Sequence, residues 1–229
     1  SERRGTVNIT WERFSIQPTH PFKISRSTQV DAERVWVRIE SDELEGWGEA
    51  DPNPFYGESA DTVVAALGRM QPIIEAAADP ADLERLEVAL RTAVEHNASA
   101  HAAVSAALHD LVGKRVGLPL WRMWGLNPDD APPSSFTIGL DEPDVLRRKV
   151  EEAAPYPILK VKLGTDRDET LLRTIREAAG DKFIRVDANA AWGAEEAVEK
   201  IAMLAEYSVE FVEQPLQPED RDGYRFLHG

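Results

Sequence analysis

Beyond about residue 127 the chain repeats a single unit, and that unit restricts the available folds more than any other feature. Four short apolar runs, SSFTIGL, PILKVKLG, KFIRVDAN and VEFVEQP, are each followed by a segment of helical apolar spacing, beginning at Pro143, Asp168, Ala194 and Asp220. With Thr137, Val161, Val186 and Val212 as strand midpoints, the steps are 24, 25 and 26 residues. Strand and helix alternating at that length give parallel strands covered by helices. An open doubly wound sheet and a closed (β/α)8 barrel share this rhythm. No glycine-rich phosphate loop is present, whereas ionisable residues stand at the carboxyl ends of successive strands, which favours the barrel.

The residues before this repeat follow other rules. VNITWERFSI and RVWVRIE alternate apolar and polar positions, as antiparallel strands do, and Pro18 and Pro21 mark a turn region between them. LEGWGEA places Gly46 and Gly48 around Trp47, where the missing side chains permit a turn or a close backbone approach. From Glu58 to Gly113 the spacing becomes helical and predicts three helices. Pro72 is expected to interrupt the first, Asp79 and Pro80 to separate it from the second, and Gly113 or Gly117 to end the third. The reading is therefore an α+β domain over residues 1–127, then about four βα units of a TIM-type barrel over residues 128–229.

Composition removes several function classes. Forty-one Asp and Glu against 26 Lys and Arg give a net charge of -15, a field that repels a phosphate backbone, so no nucleic-acid partner is expected. No apolar run approaches the ~20 residues that span a bilayer, so no membrane partner is expected either. The absence of cysteine excludes disulfides and thiolate chemistry and fits a cytoplasmic protein.

Chemistry is concentrated at the strand ends. Lys160 and Lys162 are two residues apart, so a strand's period of two points both to one face while Leu159, Val161 and Leu163 point to the other. Taken alone, such lysines also suit a solvated edge strand. The next strand repeats the arrangement with Asp187 and Asn189, and the following one ends in Glu213. Asp187 and Glu213 are hard oxygen donors suited to Mg2+ or Mn2+, although Asp and Asn at strand ends also serve as caps and turn formers. His96, His101 and His109 lack the spacing of a helical metal pair and read as structural. Trp47, Trp121 and Trp124 read as core or domain-boundary packing.

KVK, VDAN and VEQPL in this order, after TIG on the first barrel strand, resemble the muconate-lactonizing branch of the enolase superfamily. GWGEADPNPFYGES and SAALHDLVGKRVGLPLWRMWG are similar to that branch's amino-terminal capping domain and its entry into the barrel. Within the branch, PFKISR with YGES, TIG and KVKL most resembles the dipeptide epimerases of the L-Ala-D/L-Glu type. The resemblance covers essentially the whole chain. It implies a metal-dependent isomerase acting by 1,1-proton transfer at the α-carbon of a dipeptide, through an enediolate stabilised by Mg2+ or Mn2+. It implies Lys162 as the acid/base residue, Lys160 as its companion at the substrate carboxylate, Asp187 and Glu213 as metal ligands, and Asn189 as the residue orienting a carboxylate or a ligand. Thr137 would line the pocket or pack beneath it. The segment PFKISRST would act as a specificity lid, with Arg26 meeting a substrate carboxylate or lying on the surface, and His20 nearby. A small-molecule partner and a homo-oligomeric assembly are implied as well.

The family pattern also needs a third carboxylate ligand after the fifth barrel strand and a second lysine on the sixth, opposite Lys162. The third ligand would fall about 25 residues beyond Glu213, past the last residue. The chain is therefore expected to be part of a longer enzyme or of an assembly, and to be inactive by itself. Two other readings stay open: a cycloisomerase or o-succinylbenzoate-synthase-like lyase, and a non-catalytic protein that keeps the fold.

Overall fold

A computed structural model describes residues 6–17, 22–24, 27–29 and 32–228. The chain divides into two compact units, Ser1–Gln17 with Asp31–Ala131 and Pro18–Val30 with Pro132–Gly229. Among the described residues no helix is long and apolar enough to cross a membrane.

The strands before the helices are β1 (Asn8–Ile16), β2 (Phe22–Ile24), β3 (Ser27–Gln29), β4 (Ala32–Ser41) and β5 (Leu44–Ala50). β1, β4 and β5 form an antiparallel sheet in that order, and β2 and β3 pair as a short hairpin. Period-two alternation on β4 sends Val35, Val37 and Ile39 into the core and Arg34, Trp36, Arg38 and Glu40 to the other face. Trp47 lies on that outer face, 41% exposed and edge-on to Trp36, so it is not a core residue of its unit.

Helices α1 (Ala60–Glu75), α2 (Leu83–Ala93) and α3 (Ala98–Val116) cover the inner face, followed by the short α4 (Leu120–Met123). Ser59 and Thr62 cap α1 reciprocally, Asn97 caps α3, and Gly117 ends α3 in the left-handed region at φ 67°. Pro72 does not interrupt α1, contrary to expectation. It sits in the last turn, and Met70 and Ile74 on either side are wholly buried, so packing holds that turn despite the missing backbone donor.

Gly46 and Gly48 serve a close approach and not a turn. A Cβ on Gly46 would stand 2.0 Å from the Ala107 carbonyl oxygen, and one on Gly48 1.9 Å from that of Ala103, so α3 rests directly on β5.

From Pro132 onward the second unit alternates strictly: β6 (Ser135–Ile138), α5 (Pro143–Glu152), β7 (Ile158–Lys162), α6 (Asp168–Ala179), β8 (Phe183–Asp187), α7 (Ala194–Glu206), β9 (Val209–Glu213) and α8 (Arg221–His228). The strands are parallel in the order β6-β7-β8-β9, the topology of successive βα units of a barrel. Leu159, Val161, Ile184 and Val186 pack against Leu146, Leu172 and Ile175 from the helices. Each such buried side chain contributes roughly 1.5–3 kcal/mol. At the amino ends of the strands Arg176 donates to the carbonyls of Tyr207, Gly180, Lys182 and Ser208, at 2.8–3.2 Å. Lys182 similarly reaches the carbonyls of Ala154 and Tyr156. This end is a brace, which leaves the carboxyl ends for chemistry.

Gly48→Ala is expected to destabilise the first unit by about 1–3 kcal/mol, since α3 would have to lift from β5. Gly68→Ala, on an exposed stretch of α1 with nothing within 4 Å, should stabilise it by up to ~1 kcal/mol. Urea unfolding of the two variants checks the contrast.

Candidate active site

Register brings the functional side chains together. Lys162 on β7 pairs with Asp187 on β8, and Asp187 pairs with Glu213 on β9, so the three lie in one row across adjoining strand ends. The row beneath holds Thr137, Lys160 and Arg185. Leu159, Val161 and Leu163 are at most 1% exposed on the helix side, which commits both lysines to the other face.

The row is held by charge. Lys162 Nζ donates to Asp187 Oδ2 at 2.6 Å. Lys160 Nζ donates to Glu213 Oε2 at 2.6 Å and lies 3.3 Å from Asp187 Oδ2. The backbone N–H of Asn189 donates to Asp187 Oδ1 at 2.9 Å. Burial works against the charge on Asp187, but the Lys162 hydrogen bond, the Asn189 N–H and the two ammonium charges outweigh it and hold the carboxyl below its ordinary value. Burial likewise opposes the Lys160 charge, and the bonds and charges of Glu213 and Asp187 overcome it, so its pKa is raised.

A β-bulge sets the level of Glu213. Ile184 pairs with Val209 and Val186 with Val212, so β9 offers Glu210 and Phe211 where β8 has only Arg185. Both meet that residue: Arg185 Nε donates to Glu210 Oε2 at 2.7 Å, and its guanidinium lies 5.1 Å from the Phe211 ring centroid. The added residue lets Val209 and Val212 both pack on the helix side while Glu213 comes level with Asp187. A strict period of two hides this. The available signal was two valines three residues apart in a five-residue strand.

Past the strands, Ala188 N–H donates to Glu213 O, Ala190 N–H to Gln214 O and Trp192 N–H to Pro215 O, closing the two ends together. Asn189, Ala190 and Gln214 adopt left-handed backbone at φ 50°, 61° and 45°. Such conformations persist in non-glycine residues where the surroundings over-determine them.

Among the described residues no three His, Asp or Glu side chains converge into a metal-binding group. Asp187 and Glu213 do present two carboxylates in neighbouring register positions, engaged by the lysines. Asn189 Oδ1 is buried without a hydrogen-bond partner, a carbonyl acceptor two residues from Asp187. Hard oxygens of this kind fit a divalent cation such as Mg2+. Thr137 is half-buried beside Lys160, and Arg26 and His20 lie outside the described residues. His101 and His109 bond the carbonyls of Val94 and Ser105, in keeping with structural roles. A cavity of about 640 Å³ in the first unit, lined by Glu58, Glu87, His96 and His101, contains none of the strand-end residues. We place the site at the strand ends because the complementary charges converge there.

Sequence reasoning missed Asp168, read only as a helix start. Its carboxylate is fully buried and accepts bonds from the loops after both β7 and β8.

Asp187→Asn should cost roughly 1–3 kcal/mol at neutral pH, because buried Lys162 would face a neutral amide. A carboxyl with a depressed folded pKa stabilises above its unfolded value, and loses that contribution as pH falls through the folded one. The gap between wild type and variant should therefore close on acidification below about pH 4. Urea unfolding at a series of pH values measures it, and a gap independent of pH would contradict the ion-pair account.

Residues 8–125 match the profile of the mandelate racemase / muconate lactonizing enzyme N-terminal domain, and residues 144–228 match the enolase C-terminal domain-like family. The L-Ala-D/L-Glu epimerase of Bacteroides thetaiotaomicron is 37% identical over 220 residues, covering 95% of this chain and 57% of that protein. The crystal structure of a dipeptide epimerase from Enterococcus faecalis, complexed with Mg and L-Leu-L-Tyr, is similar at a TM-score of 0.88 and 30% identity. That match covers 97% of this chain and 64% of the other. The muconate lactonizing enzyme of Pseudomonas fluorescens superposes at a TM-score of 0.87 with 26% identity, covering 99% and 64%. The chain thus spans 57–64% of the length of these relatives. The two matched profiles, the first covering more than half of the chain, place it in the mandelate racemase / muconate lactonizing enzyme family of the enolase superfamily.

Proposed function

We propose that this chain carries one acid/base lysine and two metal-ligating carboxylates of a dipeptide epimerase, an isomerase that moves a proton at the α-carbon. The observation that carries the reading is the row of Lys162, Asp187 and Glu213 across three adjoining strand ends. The epimerase names of the relatives support the dipeptide substrate, and the Mg in the Enterococcus faecalis complex supports Mg2+.

A divalent cation held by Asp187 and Glu213 would supply the positive charge that makes a proton beside a carboxylate removable. Lys162 Nζ takes or returns that proton, and Lys160, one strand period deeper, binds the substrate carboxylate. The Asn189 N–H fixes the orientation of Asp187. Thr137 lines the wall beside Lys160, and Arg26 meets a substrate carboxylate.

Inverting the centre takes an acid/base group on each face. Of the lysines whose side chains the structure describes, those other than Lys160 and Lys162 are engaged elsewhere: Lys114 with Asp110, Lys149 with Asp141, Lys182 with backbone carbonyls and Lys200 with Asp168. The 229-residue chain alone is therefore expected not to epimerise. Homo-oligomeric assembly belongs to the same reading and rests on the family resemblance, and a cytoplasmic location goes with it on the strength of the cysteine-free sequence.

The second reading is a cycloisomerase or lyase using the same lysine and carboxylates, favoured by the likeness to muconate lactonizing enzyme. The test is α-deuterium incorporation into L,L-dipeptides in D2O with Mg2+, by the natural protein that contains these residues. Incorporation with inversion, reduced at least ~10³-fold in Lys162→Ala, is the expected result. Turnover of muconate or a β-elimination substrate, with no exchange into any dipeptide, would replace the epimerase reading with the second.

A further inference from the structure

Asp168 is 0% exposed, and its carboxylate is fully engaged by hydrogen bonds outside the Lys162–Asp187–Glu213 row. Oδ1 accepts from Gly164 N–H at 2.9 Å, from Thr165 N–H at 2.7 Å and from the Thr165 hydroxyl at 3.1 Å, all in the loop that leaves Lys162. Oδ2 accepts from the indole Nε1–H of Trp192 at 3.2 Å and from Lys200 Nζ at 3.2 Å. Trp192 closes the loop after β8, five residues past Asp187, and its own N–H donates to Pro215 O after β9. Leu163 N–H, next to Lys162, donates to Asp187 O. One buried carboxylate therefore touches the loop of β7 with one oxygen and the loop of β8 with the other, and through Trp192 it reaches the end of β9.

We propose that Asp168 is a positioning residue that holds Lys162 and the Asp187–Asn189 strand end in a single arrangement by clamping the Gly164–Thr165 turn to Trp192. Fastening the β7 loop to its own helix would need only the bonds to Gly164 and Thr165. The Trp192 bond instead ties the carboxylate's second oxygen to the neighbouring loop, and the Lys200 bond ties it to α7. Lys200 supplies the countercharge that permits a carboxylate at this depth. The left-handed residues Asn189 and Ala190 lie between Asp187 and Trp192, so the clamp fixes the far end of the strained segment. Its importance for chemistry rests on the reading of Lys162 and Asp187 as reacting groups. Its effect on the two loops does not.

The substitution Asp168→Asn separates the two halves. Asparagine keeps an acceptor for Gly164 and Thr165 but presents an N–H2 to Trp192 and Lys200, both donors. In metal-free protein, amide hydrogen exchange over residues 189–192 should quicken about tenfold or more, with Gly164 and Thr165 little changed. Trp192→Phe should reproduce the first effect. Arg176→Lys, which loosens the opposite end of the strands, should raise exchange across the whole unit without singling out residues 189–192. In the same variants Mg2+ affinity measured by calorimetry should fall about tenfold in Asp168→Asn and hold in Arg176→Lys. Exchange over residues 189–192 unchanged in Asp168→Asn, or raised only in proportion to the whole unit, overturns the proposal. Mg2+ binding that Asp187→Asn leaves intact counts against the functional reading instead, and the exchange result still decides the clamp.

Discussion

The structure turns on placing two ammonium and two carboxylate groups at the ends of three parallel strands without leaving any of them uncompensated. Parallel pairing fixes which residue stands beside which, and here it sets Lys162, Asp187 and Glu213 level. Buried charges cost several kcal/mol each unless paired and hydrogen-bonded. Asp187 meets that condition with bonds from Lys162 and the Asn189 N–H, and Lys160 meets it with Glu213. The arrangement is a compensated network whose carboxylate oxygens are of the hard kind that also suits a divalent cation.

Much of the surrounding fold serves that row. The apolar faces of β7 and β8 anchor the strands to their helices, so the alternate face has no choice but to carry the charges. Arg176 and Lys182 tie the amino ends with backbone carbonyl bonds, and Asp168 ties the carboxyl ends. The bulge in β9 corrects the register by one residue, without which Glu213 would turn towards the helices. In the first unit the missing side chains of Gly46 and Gly48 let α3 lie on β5, a local solution to packing a helix against a narrow sheet.

The alternation of strands and helices, the two-lysine face and the position of Asp187 were legible in the sequence because each follows a fixed period, whereas Glu213 was legible only as the end of its strand. Period two exposes Lys160 and Lys162 together, and period 3.6 marks the helices. What stayed hidden depends on contacts between elements. The bulge breaks period two inside a strand of five residues, and only its partner reveals the added residue. Asp168 reads as an ordinary helix start until Trp192 and Lys200, 24 and 32 residues away, are brought to it. Pro72 looked like a break because local chemistry says so, and buried Met70 and Ile74 override it. Trp47 reads as core or domain-boundary packing from its residue type, while alternation along β5 assigns it to the outer face of the sheet.

In this reading the strand-end row is the chain's cation and proton-transfer site. Paramagnetic Mn2+ tests it most directly: titrated into 15N-labelled protein, it broadens the amides of residues within about 15 Å of where it binds. The account predicts selective broadening at Lys162, Asp187, Asn189 and Glu213, removed by Asp187→Asn. Broadening centred on the acidic surface of the first unit, or spread evenly over the chain, would contradict it.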